Sequence, residues 1–272
     1  MLTRLKKYFC LIAVVALASC GQAQAEPATP PQIPVLAYHS VMPAEFYDEI
    51  NAANPWIFHL DSFRAHMQYL YDNDFNTLSS DQVLAFLDGD FAALPPNPIV
   101  LTFDDGYLDN ALFVAPILRE FGFTAMMFVL THNIPDEPPV MTARHTRLGR
   151  THMLETADVF EFGSHTHNLH HSVDGVGAMR VATADEIRAD LRQSFEAPLT
   201  LFTGFAYPGG GYSDYIIDAL AHEGILFAFI TYVDYFRYDT HPFKIPRFSI
   251  TADYYWDDIG FFSDVVNGRW ER

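Results

Sequence analysis

From Pro34 onward the chain alternates between short runs that are apolar on both faces and longer stretches in which apolar side chains recur every three or four residues. The runs 34–38 (PVLAY), 76–78, 99–103 (IVLTF), 124–130 (TAMMFVL), 159–163, 201–207 (LFTGFAY), 225–231 and 245–250 are mostly rich in β-branched and aromatic residues. Continuous apolar runs of this length fit strands covered on both sides, as in a parallel sheet. The stretches between them predict helices. Residues 60–73 place Phe63, Met67 and Leu70 on one face behind Asp61 as a cap, and 79–87 opens with Ser79 and Gln82 in capping-box spacing, with Val83, Leu84 and Leu87 inward. Residues 110–120 stop before Gly122; 184–195 carry Ile187, Leu191 and Phe195; 213–223 carry Ile216, Ile217 and Leu220 before Gly224. Strand–helix alternation of this kind specifies an α/β domain around a parallel sheet, open or closed into a barrel.

The first 33 residues have another pattern. A basic start (MLTRLKK), an apolar run over 8–17 and small residues after it make a secretory signal. The run is shorter than the roughly 20 apolar residues of a spanning helix. Leu17-Ala18-Ser19-Cys20 resembles a bacterial lipoprotein box, which would make Cys20 the lipidated first residue of the mature protein, with Gly21 suited to the outer membrane. Cleavage after Ala23-Gln24-Ala25 is the alternative and would leave a soluble periplasmic protein; either route leads out of the cytoplasm. Residues 26–34 (EPATPPQIP) hold four prolines in nine positions, a solvated extended segment. The expected organisation is a signal over 1–19, a tether over 20–33 and one domain over 34–272.

Composition narrows the function. With 16 Lys+Arg against 34 Asp+Glu the net charge is −18 in 272 residues, and Arg4, Lys6 and Lys7 all lie in the signal. A surface that acidic repels phosphate backbones and anionic headgroups, so no nucleic-acid partner is expected, and membrane contact only through a lipid at Cys20. The only cysteines are Cys10 and Cys20, so no disulfide framework holds the domain, and a core drawn from a chain that is half hydrophobic residues must do so.

Three segments at predicted strand ends, where α/β folds gather their working residues, carry candidate chemistry. In Leu101-Thr102-Phe103-Asp104-Asp105-Gly106-Tyr107, neighbouring carboxylates point different ways on extended backbone, so one can serve a metal and the other a proton; a helix-capping turn is the simpler alternative. In Gly163-Ser164-His165-Thr166-His167-Asn168-Leu169-His170-His171, four imidazoles within seven residues suit zinc or a similar divalent metal. Spacing alone leaves the ligands open: His167 and His171 would converge on a helix, His165 and His170 on a loop. In Phe205-Ala206-Tyr207-Pro208-Gly209-Gly210-Gly211-Tyr212, glycines can bring backbone amides close to a ligand, or form a plain turn.

Taken together and in this order, these segments resemble the polysaccharide deacetylase family, also called the NodB-homology or carbohydrate esterase family four. VLAYHSV (35–41) looks like its opening strand, TFDDGY its first catalytic motif, SHTHNLHH its histidine motif, FAYPGGGY its third, and Lys244-Ile245-Pro246-Arg247-Phe248 a segment near the end of many members. The resemblance implies a distorted, incomplete (β/α) barrel in a single domain, and metal-dependent hydrolysis of acetyl groups on an extracytoplasmic polysaccharide. It implies Asp104 as general base and Asp105 with two histidines as the metal site. The five-residue interval of His165 and His170 is similar to biofilm poly-β-1,6-N-acetylglucosamine N-deacetylases, with His167 and His171 as the other pair. The resemblance further implies a divalent cofactor, Zn2+ before Co2+ or Ni2+, the Gly209 backbone N–H as oxyanion donor, and an N-acetylated polysaccharide as substrate, with polysaccharide export machinery as a candidate partner. Two features of the family pattern are missing: the arginine of the third motif that would orient the base, where this chain reads Ala206-Tyr207-Pro208-Gly209, and a C-terminal Leu-x-His that supplies the general acid. His39 is the candidate replacement acid. An O-acetyl esterase, or a glycan-binding protein of the same fold without turnover, are the alternative readings.

Overall fold

A computed structural model describes residues 31–46, 54–137, 139–141, 146–197, 201–252 and 255–271; the expected signal, Cys20 and most of the tether lie outside them. β1 (Val35–Tyr38) and β2 (Ser40–Met42) open the fold, followed by β3 (Ile57–His59), helix α1 (Leu60–Asp72), β4 (Asn76–Thr77) and helix α2 (Ser80–Leu87). β5 (Pro98–Phe103) leads to a π-helical turn, Asn110–Val114, that continues as α3 (Ala115–Phe121), before β6 (Ala125–Val129), α4 (Arg150–Glu155) and β7 (Phe160–Ser164). The hairpin β8 (Ser172–Val173) and β9 (Val176–Gly177) precedes α5 (Ala178–Val181) and α6 (Ala184–Phe195). Then come β10 (Gly204–Ala206), α7 (Asp214–His222), β11 (Phe227–Phe229), β12 (Phe248–Ser249) and α8 (Ile259–Val266).

The main sheet is parallel throughout, in the order β11-β10-β7-β6-β5-β1-β12, with β4 beside the start of β5. Its two edges nearly meet: the Ile245 N–H donates to Ala228 O at 3.0 Å and the Ile230 N–H to Ile245 O at 2.9 Å, just ahead of β12. With the Arg247 N–H donating to Tyr232 O at 3.0 Å, this bridge brings an incomplete (β/α) barrel close to closure.

Both faces of the strands are covered, which is why their sequences read as unbroken apolar runs. Val35, Val100, Met126, Phe128, Ala206, Phe227, Phe229 and Ile245 form one buried cluster in the barrel interior. The alternate positions Leu36, Tyr38, Leu101, Phe103, Met127 and Val129 pack outward in the cluster that includes Phe63 and Met67 of α1 and Ile117 and Leu118 of α3. Because side chains alternate along a strand, Val100 and Thr102 share the inner face of β5, and Asp104, two residues on, lies over the inner end of the barrel.

All eight expected strands are present, and the Ser79–Gln82 capping box forms, with the Gln82 N–H donating to Ser79 Oγ at 3.3 Å and the Ser79 N–H to Gln82 Oε1 at 3.0 Å. Two expectations need correction. The cap of α1 is His59, without a side-chain cap bond, and Asp61 lies in the first turn, where its charge still favours the positive end of the helix dipole. The stretch 110–120 is a π turn joined to a short α-helix because Pro116 enters at its start. No helix among the described residues is long and apolar enough to cross a membrane.

Candidate active site

β5 ends at Phe103, and the chain then turns sharply: Asp105 and Gly106 both adopt positive φ, 75° and 66°. Gly106 has no alternative, since a Cβ there would stand 2.9 Å from Val129 Cγ1. The turn sends the two carboxylates in different directions. Asp104 stays over the barrel interior, its N–H still donating to Tyr38 O at 2.9 Å, while Asp105 swings toward the end of β7.

At Asp105, Tyr107 Oη donates to Oδ2 at 2.9 Å, and Arg147, stacked over the Tyr107 ring at 4.2 Å, lies 3.7 Å from the same oxygen. Oδ1 is buried and has no hydrogen-bond partner among the described residues. It faces two imidazole nitrogens, His170 Nε2 at 3.3 Å and His165 Nε2 at 3.7 Å. The three donor atoms lie within 4.8 Å of one another; ligands about 2.1 Å from a common ion stand about 3–3.5 Å apart. His165 Nδ1 contacts the Ala206 carbonyl at 2.7 Å, so Nδ1 carries the proton and Nε2 offers its lone pair. Burial, before any charge effect, pushes both imidazoles below their ordinary pKa, which favours the neutral form that can donate a lone pair. Burial alone would raise Asp105, but His165 and Arg147 hold it below the usual carboxylate range. An orphaned buried oxygen facing two neutral imidazoles fits a divalent cation, and the mixed N/O donor set suits zinc and its neighbours.

The five-residue interval between the histidines is shaped from α6. Asp190 accepts the backbone N–H groups of His167 and Asn168, each at 2.7 Å, and Ser194 Oγ accepts from Ser164 Oγ at 3.1 Å, while Thr166 takes a φ of 81°. His167 consequently turns its Nδ1 to Thr131 Oγ1 at 2.9 Å, and exposed His171 turns to Asn168 O, so the alternative pair is not gathered around Asp105. We expect Asp190→Ala to lower zinc affinity about tenfold to a hundredfold, read by competition with a chromogenic chelator; affinity within about twofold of the parent would show that the loop keeps its shape without this carboxylate.

Asp104 corrects the reading that an orienting arginine is absent. Arg247, wholly buried just before β12, meets it with two parallel bonds, Nη1 to Oδ1 at 2.8 Å and Nη2 to Oδ2 at 2.7 Å. Its remaining donors reach Thr102 Oγ1 and Ile230 O, both at 3.2 Å. Burial by itself would raise the Asp104 carboxyl, but the guanidinium, with His165, holds it well below the usual carboxylate range. The signal was in the sequence: an arginine inside the apolar run IPRFSI cannot be buried without an anionic partner.

His39 comes directly after β1 and packs against Trp56, ring centroids 4.4 Å apart and planes tilted by 40°; its buried Nδ1 has no partner among the described residues. Its backbone is held by Asn110 Nδ2, which donates to His39 O at 2.8 Å, and by the adjoining Ser40 and Val41, which donate to Asp109 at 2.7 and 3.1 Å. Burial lowers the His39 pKa, against the pull of Asp104 and Asp105. Gly209 stands exposed after β10 at φ 58°, with open space where a Cβ would be. The structure therefore brings Asp104, Asp105, His165, His170 and His39 to one end of the barrel. Arg147 and Asp190 were missed as supports because their partners are remote in sequence or are backbone atoms, and Tyr107, whose partner Asp105 is only two residues away, because its hydroxyl reaches the carboxylate only through the sharp turn after β5.

Residues 92–228, just over half of the chain, match the polysaccharide deacetylase family. YxkH of Bacillus subtilis (strain 168), which carries the polysaccharide deacetylase name, is 26% identical over 201 residues, 72% of this chain; the match spans 63% of YxkH, less than two thirds of its length. Among solved structures, the Streptococcus pyogenes deacetylase PplD in complex with acetate superposes with a TM-score of 0.70 at 23% identity, covering 86% of this chain and 99% of PplD. A de-N-acetylase from Aggregatibacter actinomycetemcomitans gives 0.69 at 22% identity, covering 85% and 100%. At these identities the two structures speak for the fold, and the family match speaks for descent: the chain belongs to the polysaccharide deacetylase family.

Proposed function

We propose that the protein hydrolyses acetyl groups from an N-acetylated polysaccharide outside the cytoplasm, with a polymer of N-acetylglucosamine as substrate. The observation that carries this reading is the pairing of an ionised carboxylate, Asp104, clamped by Arg247, with the three-donor cluster of Asp105, His165 and His170 beside it. Those three residues would hold a divalent cation, zinc by its donor set, with cobalt or nickel as substitutes. Once bound, it would polarise the acetyl carbonyl and lower the pKa of the attacking water. Asp104 accepts the proton that this water loses as its oxygen adds to the carbonyl carbon. The Gly209 N–H donates to the oxyanion that develops there. His39 delivers a proton to the nitrogen as the carbon–nitrogen bond breaks, releasing acetate and a free amine. Trp56 limits the rotation of that imidazole, and Asp109 and Asn110 fix its backbone. A signal over 1–19, a lipid at Cys20 and a tether over 20–33 would place the domain in the periplasm or at the outer membrane, within reach of export machinery.

The test is acetate release by the full chain, stripped with a chelator and then reloaded with zinc, cobalt or nickel, on poly-β-1,6-N-acetylglucosamine, chitin oligomers and O-acetylated xylan in parallel. Release from the N-acetylated polymers that vanishes on stripping and returns with metal is expected. Release from xylan alone would make it an O-acetyl esterase, and metal binding with no release from any substrate a glycan-binding protein.

A further inference from the structure

The turn that carries Asp105 is clasped by a segment about forty residues further along the chain. Residues 146–148 run antiparallel to 106–108, bridged at Tyr107 and Arg147, with the Leu108 N–H donating to Thr146 O at 2.8 Å and the Leu148 N–H to Gly106 O at 3.0 Å. Leu148 also packs against Gly106, where a Cβ would stand 3.0 Å from its Cδ2. From the middle of this clasp Arg147 reaches back over the Tyr107 ring, its Cζ 4.2 Å from the centroid, and its Nη1 donates to the Asp105 carbonyl. The guanidinium is thus held by a backbone acceptor, an aromatic face and the pairing of its own backbone, in a place set by the fold.

That arrangement treats the two oxygens of Asp105 differently. Oδ2 accepts from Tyr107 Oη at 2.9 Å and has Arg147 Nη1 3.7 Å away. Oδ1 has no hydrogen-bond donor among the described residues and faces His170 Nε2 at 3.3 Å and His165 Nε2 at 3.7 Å. With one oxygen engaged by protein donors, the carboxylate has a single oxygen to give to a cation. Zinc and its neighbours accept that, since three protein ligands of mixed nitrogen and oxygen suffice for them. Calcium takes about six to eight oxygens and often both oxygens of one carboxylate. Discrimination is needed here, because a chain with a net charge of −18 draws divalent cations of every kind toward it.

We propose that Arg147 is a positioning residue which, together with Tyr107, confines Asp105 to one ligating oxygen and so sets the metal preference of the site, zinc-like ions over calcium. The assignment rests on the reading of Asp105, His165 and His170 as a metal site, and not on which polymer is hydrolysed. Arg147 acts by charge as well as by place: a cation drawing on both carboxylate oxygens would have to displace the Tyr107 hydroxyl and approach the guanidinium.

The experiment uses the full chain stripped with a chelator, as the parent, Arg147→Met and Tyr107→Phe. Zinc affinity is read by competition with a chromogenic chelator, calcium affinity by calorimetry, and cobalt by its visible absorption, which weakens as coordination number rises. Tyr107→Phe removes one hydroxyl and keeps the ring under Arg147, so the fold should tolerate it even if Arg147→Met loosens the clasp. The zinc-over-calcium affinity ratio is expected to fall about tenfold to a hundredfold in both variants, with weaker cobalt bands. A merely structural role would lower the affinity for all three metals together and leave the ratio unchanged. A ratio within about twofold of the parent, a fall in only one variant, or unaltered cobalt bands would overturn the role of Arg147 while zinc binding by the parent upholds the metal site. A parent that binds no zinc would overturn the metal site and the proposal with it. None of these readouts uses acetate release, so failure of the deacetylase reading on every polymer would leave the assignment of Arg147 standing.

Discussion

Arg247→Met will destabilise the fold by about 3–5 kcal/mol and abolish most activity near pH 7. The side chain is wholly buried, and removing its charge leaves Asp104 as a buried carboxylate with no cation to offset its desolvation. Arg247→Lys will rescue little, because an ammonium can reproduce neither the two parallel bonds to Asp104 nor the additional ones to Thr102 and Ile230. The pH dependence distinguishes this account from simple loss of packing. In the parent, the folded-state pKa of Asp104 lies below its unfolded value, so the pair stabilises the fold above that unfolded value and ceases to do so as pH falls through the folded one. In the variant, the guanidinium no longer offsets burial and the carboxyl rises, so the acid limb of the activity profile moves upward and activity recovers as pH rises. Urea denaturation at about pH 7 and about pH 3 should show the stability difference shrinking in acid. An unchanged midpoint near neutrality, or an acid limb that does not move, would remove Arg247 from this role.

Asp104→Asn and Asp105→Asn should both silence acetate release, but by different routes. Asp104→Asn removes the proton acceptor and leaves the donor cluster of Asp105, His165 and His170 in place. The expected outcome is a loss of about 10²–10⁴ in kcat with zinc content close to that of the parent. Asp105→Asn replaces the buried anionic oxygen that faces both imidazoles, so zinc content should fall together with activity, and excess zinc should restore part of both. Elemental analysis beside the kinetics decides between the two. Zinc lost from Asp104→Asn, or retained by an inactive Asp105→Asn at parental affinity, would exchange the roles given to the adjacent carboxylates.

The strands and most helices were legible because burial on both faces of a parallel sheet leaves a local trace, a run such as IVLTF or TAMMFVL bounded by turn residues. The capping box at Ser79 was legible for the same reason, since both of its partners lie within one turn. Asp61 misled because a carboxylate in the first turn reads almost like a cap. The short pairing of β2 with β3 and the β8–β9 hairpin left too few residues to show a period.

The site divides along the same line. Its residue types, two adjacent carboxylates at one strand end and four histidines at another, were present in the sequence together with the family resemblance. Which histidines face Asp105 was settled by Asp190, far along the chain on α6, whose hold on two backbone amides turns His167 away. Arg247 stands 143 positions from Asp104, and only the near closure of the barrel, through the bridge of Ile245 to β11, brings the two together. Local chemistry and periodicity are written residue by residue along the chain, whereas pairing between remote side chains depends on how the sheet curls and closes, which the chain decides only when its whole interior packs at once.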